Sequence, residues 1–219
     1  MLPAPAPFLP KKGNYRKLIA YQKAECIYDI TFFFANHYLG AKDRTVDQMV
    51  QAARSGKQNI AEGSAAASTS SETELKLINV AKASLQELLT DYEDYLRVRG
   101  LEQWPLEDER TRQTQEFCSQ HNSPADYMLQ IEQRSPEAVA NIAITLIHQT
   151  DVMLRKLLNK LQENFAENGG IREQMTAARL GYRNAQQNEI AALQAENRRL
   201  QQRVCWLEER LRQFGEKIE

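Results

Sequence analysis

The chain has 219 residues, with 28 basic against 29 acidic side chains and a formal net charge of −1. That length suits one domain with an appendage, or two small ones, and is enough to bury a real core. Turn residues are scarce, with nine glycines and seven prolines, which argues against a many-stranded β fold, and near-neutral charge excludes a uniformly basic nucleic-acid binder while leaving local patches open.

Residues 1–13, with prolines at 3, 5, 7 and 10, read as a Pro-rich extended arm. No basic segment followed by an unbroken apolar run is present there, so no signal helix is expected. A first helix is predicted from Asn14 to Tyr38. Tyr15, Leu18, Gln22, Cys26, Ile30, Phe33 and His37 recur at three- and four-residue steps, with Ile19, Ile27 and Phe34 widening the stripe. Asn14 is its expected N-cap.

A second helix is predicted from Asp43 to Ala67. Small residues crowd it, among them Ala52, Ala53, Ser55, Gly56, Ala61 and Gly63. Small side chains let helix axes approach closely, which places this helix centrally. Ser68-Thr-Ser-Ser71 breaks the pattern and offers two overlapping capping boxes, Thr69 with Glu72 and Ser71 with Glu74. The third helix follows, with Leu75, Ile78, Leu85, Leu89, Tyr92 and Leu96 on one face and a stop near Gly100. Lys82 interrupts that face and either snorkels to water or reaches a partner.

Residues 101–134 are acidic and read as a surface insertion, with a short helix over 106–117. The fourth long helix starts with Ser135 as N-cap, Pro136 in the first turn and Glu137 at the positive helix end. Val139, Ile142, Leu146, Met153, Leu157, Leu161 and Phe165 form its apolar face, and Asn168-Gly-Gly170 closes it. The expected fold is all-α: an antiparallel four-helix bundle over 14–168, interrupted by the 101–134 insertion. A short basic linker-helix over 169–183 follows the bundle.

The segment 184–215 reads as a leucine-zipper-like coiled coil. Ile190, Asn197, Val204 and Leu211 take the a positions of a heptad, and Leu193, Leu200, Leu207 and Phe214 the d positions. β-branched residues at a, leucine at d and one buried asparagine favour a parallel dimer in a fixed register. Arg203 at g can then meet Glu208 at e of a partner, a pair that selects orientation more than it stabilises. The alternative is a helix that folds back onto its own bundle.

Three widely spaced cysteines, Cys26, Cys118 and Cys205, suggest no disulfide framework and fit a reducing compartment. The longest apolar runs fall well short of the roughly 20 residues of a membrane span, so a cytoplasmic protein without membrane contact is expected. No Glu-x-x-His pair for a di-iron site and no glycine-rich phosphate loop occur, and Cys118-x-x-His121 lacks a second pair to complete a zinc site. No catalytic residue, metal or cofactor is expected. Candidate nucleic-acid contacts are Lys11, Lys12, Arg16, Lys17 and Lys23, interleaved with Tyr15 and Tyr21, and Arg172, Arg179 and Arg183 on one helix face beside Tyr182. A solvated basic face is the competing reading. Ser55, Asn59 and Glu62 are polar within the small-residue helix and are expected to fix its register by inter-helix hydrogen bonds.

The stretch Ala52-Ala-Arg-Ser55 and Asn59-Ile-Ala-Glu-Gly63 resembles the second helix of a bacterial four-helix-bundle family, the proteins encoded within intervening sequences of 23S rRNA genes, with Gly56 at the usual isoleucine. Tyr15-Arg-Lys-Leu-Ile-Ala-Tyr-Gln-Lys-Ala24 is similar to the family's opening, and Ala81-Lys-Ala-Ser-Leu-Gln-Glu-Leu88 to its third helix. The 169–183 segment is similar to the C-terminal suffix of one branch. The resemblance implies a non-enzymatic, oligomer-forming bundle. It also brings the pentameric habit of relatives that serve diversity-generating retroelements, which bind a reverse transcriptase and nucleic acid. The expectation is therefore an oligomeric interaction or scaffold protein, joined by bundle and coiled coil as a dimer or a pentamer. The alternative is an RNA- or DNA-binding accessory protein beside a nucleic-acid enzyme.

Overall fold

The computed structural model describes residues 14–40 and 42–215. Every regular element among the described residues is helical, and none of these helices is long and apolar enough to cross a membrane. The chain divides into two compact units, with the boundary between Ile171 and Arg172.

The first unit opens on a 3₁₀ turn, Tyr15–Lys17, before α1 (Ile19–Tyr38). Asn14 does act as a cap, but of this turn: its Oδ1 accepts from the Arg16 amide at 3.2 Å. Leu18 is extended and separates the turn from α1, so the first helix begins five residues later than its periodicity predicts. The break sets the Tyr15 ring edge-on to Tyr21 at 4.8 Å. The apolar face of α1 is also rotated from the expected stripe. Ala24, Ile27, Ile30, Thr31 and Phe34 are buried, whereas His37 is exposed.

In α2 (Thr45–Ala66), Asp43 Oδ1 accepts from the Thr45 amide at 2.9 Å. The small residues act as the sequence suggests. A Cβ on Gly56 would lie 2.7 Å from Leu85 Cδ2, and one on Gly63 would lie 3.1 Å from Ile78 Cδ1. Both neighbours belong to α3 (Ser71–Val98), so glycine is what allows this close approach.

The cap of α3 differs from both predicted boxes. Ser70 is the N-cap, its Oγ accepting from the Thr73 amide at 3.1 Å. Thr69 instead donates back to the Ala66 carbonyl at 3.1 Å, and Ser71 is already helical, so neither hydroxyl is free to start a box. At its other end α3 closes on Gly100, whose φ of 64° suits the left-handed turn, with the Leu101 amide donating to Leu96 O at 2.9 Å.

Residues 101–134 are more than a surface insertion. They form α4 (Glu109–Gln120), capped by Asp108, and α5 (Pro124–Ile131). Thr111, Cys118, Tyr127 and Ile131 are buried, so this stretch contributes to the core. Acidic composition hides this, because the few inward side chains lie four to nine residues apart within a polar background. Then α6 (Pro136–Asn168) begins as predicted, with Ser135 Oγ accepting from the Ala138 amide at 3.2 Å.

Packing follows from these faces. α1 contacts α2 and α6, and α3 likewise contacts α2 and α6, while α4 lies on α6 and α5 on α1. Phe34 sits at the centre, 4.9 Å from the Tyr92 ring and 4.7 Å from the Tyr95 ring. The buried Tyr92 hydroxyl donates to Thr31 Oγ1 at 3.0 Å, which satisfies both polar groups. Lys82 resolves as a surface pair, 3.5 Å from Asp151 of α6.

The second unit is built on one helix, α7 (Ile171–Gly215). None of its described side chains is buried.

Candidate assembly interface

In α7 the predicted heptad positions share one helix face, because a strict three-four repeat on an α-helix cannot do otherwise. Their apolar side chains are open, from 45% exposed at Leu207 to 70% at Leu211. Ile190, Leu193, Leu200, Val204 and Phe214 fall within that range, and Asn197 is exposed beside them. Isolated exposed leucines are ordinary, but a continuous seam of them along one face is not. A helix of mostly polar composition with one such stripe has its gain in burial only on meeting another surface.

Charged and aromatic side chains flank the seam. Arg203 lies 4.8 Å from the Trp206 ring and Arg210 lies 5.5 Å from it, with Arg210 also 5.8 Å from Phe214. Trp206 occupies the outer c position and is 48% exposed, a residue that the heptad pattern passes over. Arg199 pairs with Glu196 at 3.8 Å.

The candidate nucleic-acid residues divide into three groups. Lys11 and Lys12 lie outside the described residues. Arg16 and Lys17 are exposed on the 3₁₀ turn, and Arg172, Arg179 and Arg183 are exposed on α7 with Tyr182 beside them. Lys23 must be withdrawn. Its side chain is fully buried, and its ammonium donates to the Cys118 carbonyl and, at 2.6 Å, to the His121 carbonyl. These are carbonyls at the C-terminal end of α4, where a cation is favoured by the helix dipole and by the lack of intrahelical donors. Tyr127 adds its hydroxyl to the His121 carbonyl at 2.8 Å. Burial lowers the Lys23 ammonium below lysine's ordinary pKa and leaves nothing to offer an external anion. The signal was present in the sequence, since Lys23 falls in step with Ile27, Ile30 and Phe34 on the buried face.

The register residues also divide. Ser55 Oγ is 2.9 Å from Ser84 Oγ, which links α2 to α3, and Asn59 Nδ2 donates to Ser55 O at 2.9 Å and Ser55 Oγ at 3.1 Å. Glu62 is exposed and accepts from Gln58 on its own helix at 3.1 Å, so it does not fix the packing of α2. Its position faces solvent while Ile60, Gly63 and Ser64 turn inward.

The cysteines separate in the same way. Burial pushes the Cys26 thiol up to about 12 and the Cys118 thiol up to about 11, whereas Cys205 is exposed on α7. Among the described residues no group of three or more His, Cys, Asp or Glu side chains is arranged to hold a metal ion.

A polar lattice around Trp104 was not visible in the sequence. Asn141 of α6 accepts from the Trp104 amide at 2.9 Å and donates to Glu102 O at 2.9 Å. The Trp104 indole N–H donates to Glu137 at 3.2 Å, and Arg110 lies 4.9 Å from the indole ring. The three hydrogen bonds join residues more than 30 positions apart, beyond the reach of local periodicity. No family model, curated protein or solved structure matches this chain.

Proposed function

We propose that this protein is a non-enzymatic assembly protein. In this reading α1, α2, α3 and α6 make an antiparallel four-helix bundle, and α7 pairs with α7 of a second copy as a parallel coiled coil in register. The observation that carries it is the open seam: apolar residues from Ile190 to Phe214 occupy a and d without a slip, and each remains about half exposed or more. Parallel pairing sets Asn197 against Asn197, where the two amides can bond each other. An antiparallel arrangement would oppose an amide to an apolar d residue. The g and e positions permit self-pairing, with Arg203 opposite Glu208 and no like charges opposed. The match of Asn59-Ile-Ala-Glu-Gly63 and its neighbours supports membership of the intervening-sequence bundle family, whose oligomeric habit agrees with an assembly role.

A second reading, an accessory protein that contacts RNA or DNA, rests on the exposed Arg172, Arg179 and Arg183 beside Tyr182. Ionic strength separates the two, because nucleic-acid affinity falls steeply with salt whereas burial of an apolar seam does not. Light scattering on the size-exclusion peak, recorded with the 260/280 nm ratio at low and high salt, is the test. A salt-resistant oligomer free of nucleic acid supports assembly. A nucleic-acid signal stripped by salt, with a monomer left behind, supports the second reading and overturns the first.

A further inference from the structure

α7 is one continuous helix from Ile171 to Gly215, but only its second part carries the apolar seam. Carried upstream from Ile190, the same heptad puts Gln186 at d, Arg183 at a, Arg179 at d, Thr176 at a and Arg172 at d. All five are exposed. The line that holds isoleucine, valine and leucine from residue 190 onward therefore holds arginine before it, with no break in the helix between.

In a parallel, in-register pair, the layers upstream of Ile190 would set Arg183 against Arg183, Arg179 against Arg179 and Arg172 against Arg172. A guanidinium stays charged, and burying like charges against each other costs more than packing recovers. Separation of the two arms into water removes that cost. Met175 and Tyr182, also exposed, lie one residue off this line at g. Pairing through them would break the register that Ile190 to Phe214 keep. A pair zipped from Ile190 onward and parted before it is a fork, with three arginines on the inner face of each arm. The acids of the arm, Glu173 at e and Glu189 at g, fall outside the a and d line.

Such a fork fits a long polyanion with two-fold symmetry. Arg172 and Arg183 are eleven residues apart, or about 16 Å along the helix, enough to span the roughly 12 Å major groove of B-DNA, which admits a helix. The major groove of duplex RNA is too deep and narrow for side chains to enter. Arginine suits phosphate through its paired N–H donors, and two identical arms match the two strands of a duplex as dimeric helix readers do.

We propose that the α7 pair forks ahead of Ile190 and holds duplex DNA between its arms, with Arg172, Arg179 and Arg183 of each copy on backbone phosphates. This rests on the parallel pairing of α7 proposed above, and makes assembly and DNA contact the work of two parts of one helix.

The test is fluorescence anisotropy of a labelled DNA duplex of about two helical turns, titrated with the full chain at several salt concentrations. Light scattering on the same samples gives the molar mass. A dimer with a Kd of about 1–10 μM in about 50 mM salt is expected, its log–log salt slope near −5 for about six neutralised phosphates. Arg183→Gln removes one contact from each arm and should reduce that slope by about 2. The triple variant Arg172→Gln, Arg179→Gln, Arg183→Gln should stay dimeric and lose the duplex. Leu207→Glu, which parts the helices, should bind more than about tenfold more weakly. A dimer that leaves the duplex unbound, a slope unmoved by Arg183→Gln, undiminished binding by Leu207→Glu, or duplex RNA held as tightly as DNA would each overturn the fork and leave the pairing standing. A parent chain that is monomeric throughout would overturn the pairing, and the fork with it.

Discussion

The packed helices up to Ile171 and the single helix α7 use similar residues toward opposite ends. In the first, Ile27, Ile30, Phe34, Leu85 and Ile147 are removed from water by their own chain. In α7, Leu193, Leu200 and Leu207 repeat with a stricter period and stay open. Regularity accounts for the difference. A period held near 3.5 residues keeps one straight seam for a partner helix, whereas the broader, drifting faces of α1, α3 and α6 wrap around a shared core. Glycine shows the same contrast. At Gly56 a methyl group would run into Leu85, while at Gly181 nothing lies within 4 Å.

Leu207→Glu should have the largest effect. A carboxylate at a central d position should weaken self-association more than about a hundredfold, or about 3 kcal/mol, since a charge would be buried without a partner. Light scattering should show the loss of the oligomer, and thermal unfolding should show the packed helices unaffected. Thiol chemistry probes the two regions side by side. At pH 8 Cys205 should react with a maleimide or disulfide reagent more than about a hundredfold faster than Cys26 or Cys118, whose burial suppresses the thiolate. A reagent count before and after denaturation checks this.

Lys23→Met acts within the packed helices alone. It leaves the Cys118 carbonyl without its lysine donor and should lower stability by about 2 kcal/mol in chemical denaturation, with molar mass and any bound nucleic acid unchanged. The buried ammonium also sets a pH trend. Its folded pKa lies below the unfolded value, so between the two the unfolded chain binds more protons and stability rises with pH. The same contribution is lost as pH falls through the folded value, and Lys23→Met should flatten that slope. The smallest effects are the most pointed. Gly56→Ala should destabilise by about 1 kcal/mol, overpacking against Leu85 outweighing the gain in helix propensity. Gly181→Ala should stabilise α7 by about the same amount, for propensity acts there unopposed.

What could be read in the sequence was whatever repeats locally. The all-helical character, the Ser135-Pro136 start of α6, the small-residue face of α2 and the heptads of α7 all come from spacing within one segment. What escaped depends on contacts between distant segments. Acidic residues masked the buried Thr111, Cys118, Tyr127 and Ile131, and the Trp104–Asn141–Glu137 lattice exists only once α6 is laid beside the 101–108 stretch. Lys23 is the instructive miss. A charged side chain in step with a buried face reads as a surface group, yet its reach to the end of α4 is the reason it can be buried at all. Glu62 erred in the other direction, a polar residue among small ones that simply faces water.

Parallel, in-register pairing of α7 with itself, as proposed, is open to disulfide trapping. Introducing Leu207→Cys into a full-length Cys205→Ser chain puts one thiol at a d position. A parallel in-register pair brings those two positions within the roughly 7 Å Cα separation that a disulfide requires. Rapid, near-complete crosslinking of Leu207→Cys under mild oxidation is expected, with the native Cys205 at the outer b position remaining uncrosslinked in the parent chain. A Leu207→Cys chain that stays monomeric on a non-reducing gel, or a parent chain that crosslinks as readily through Cys205, would contradict it.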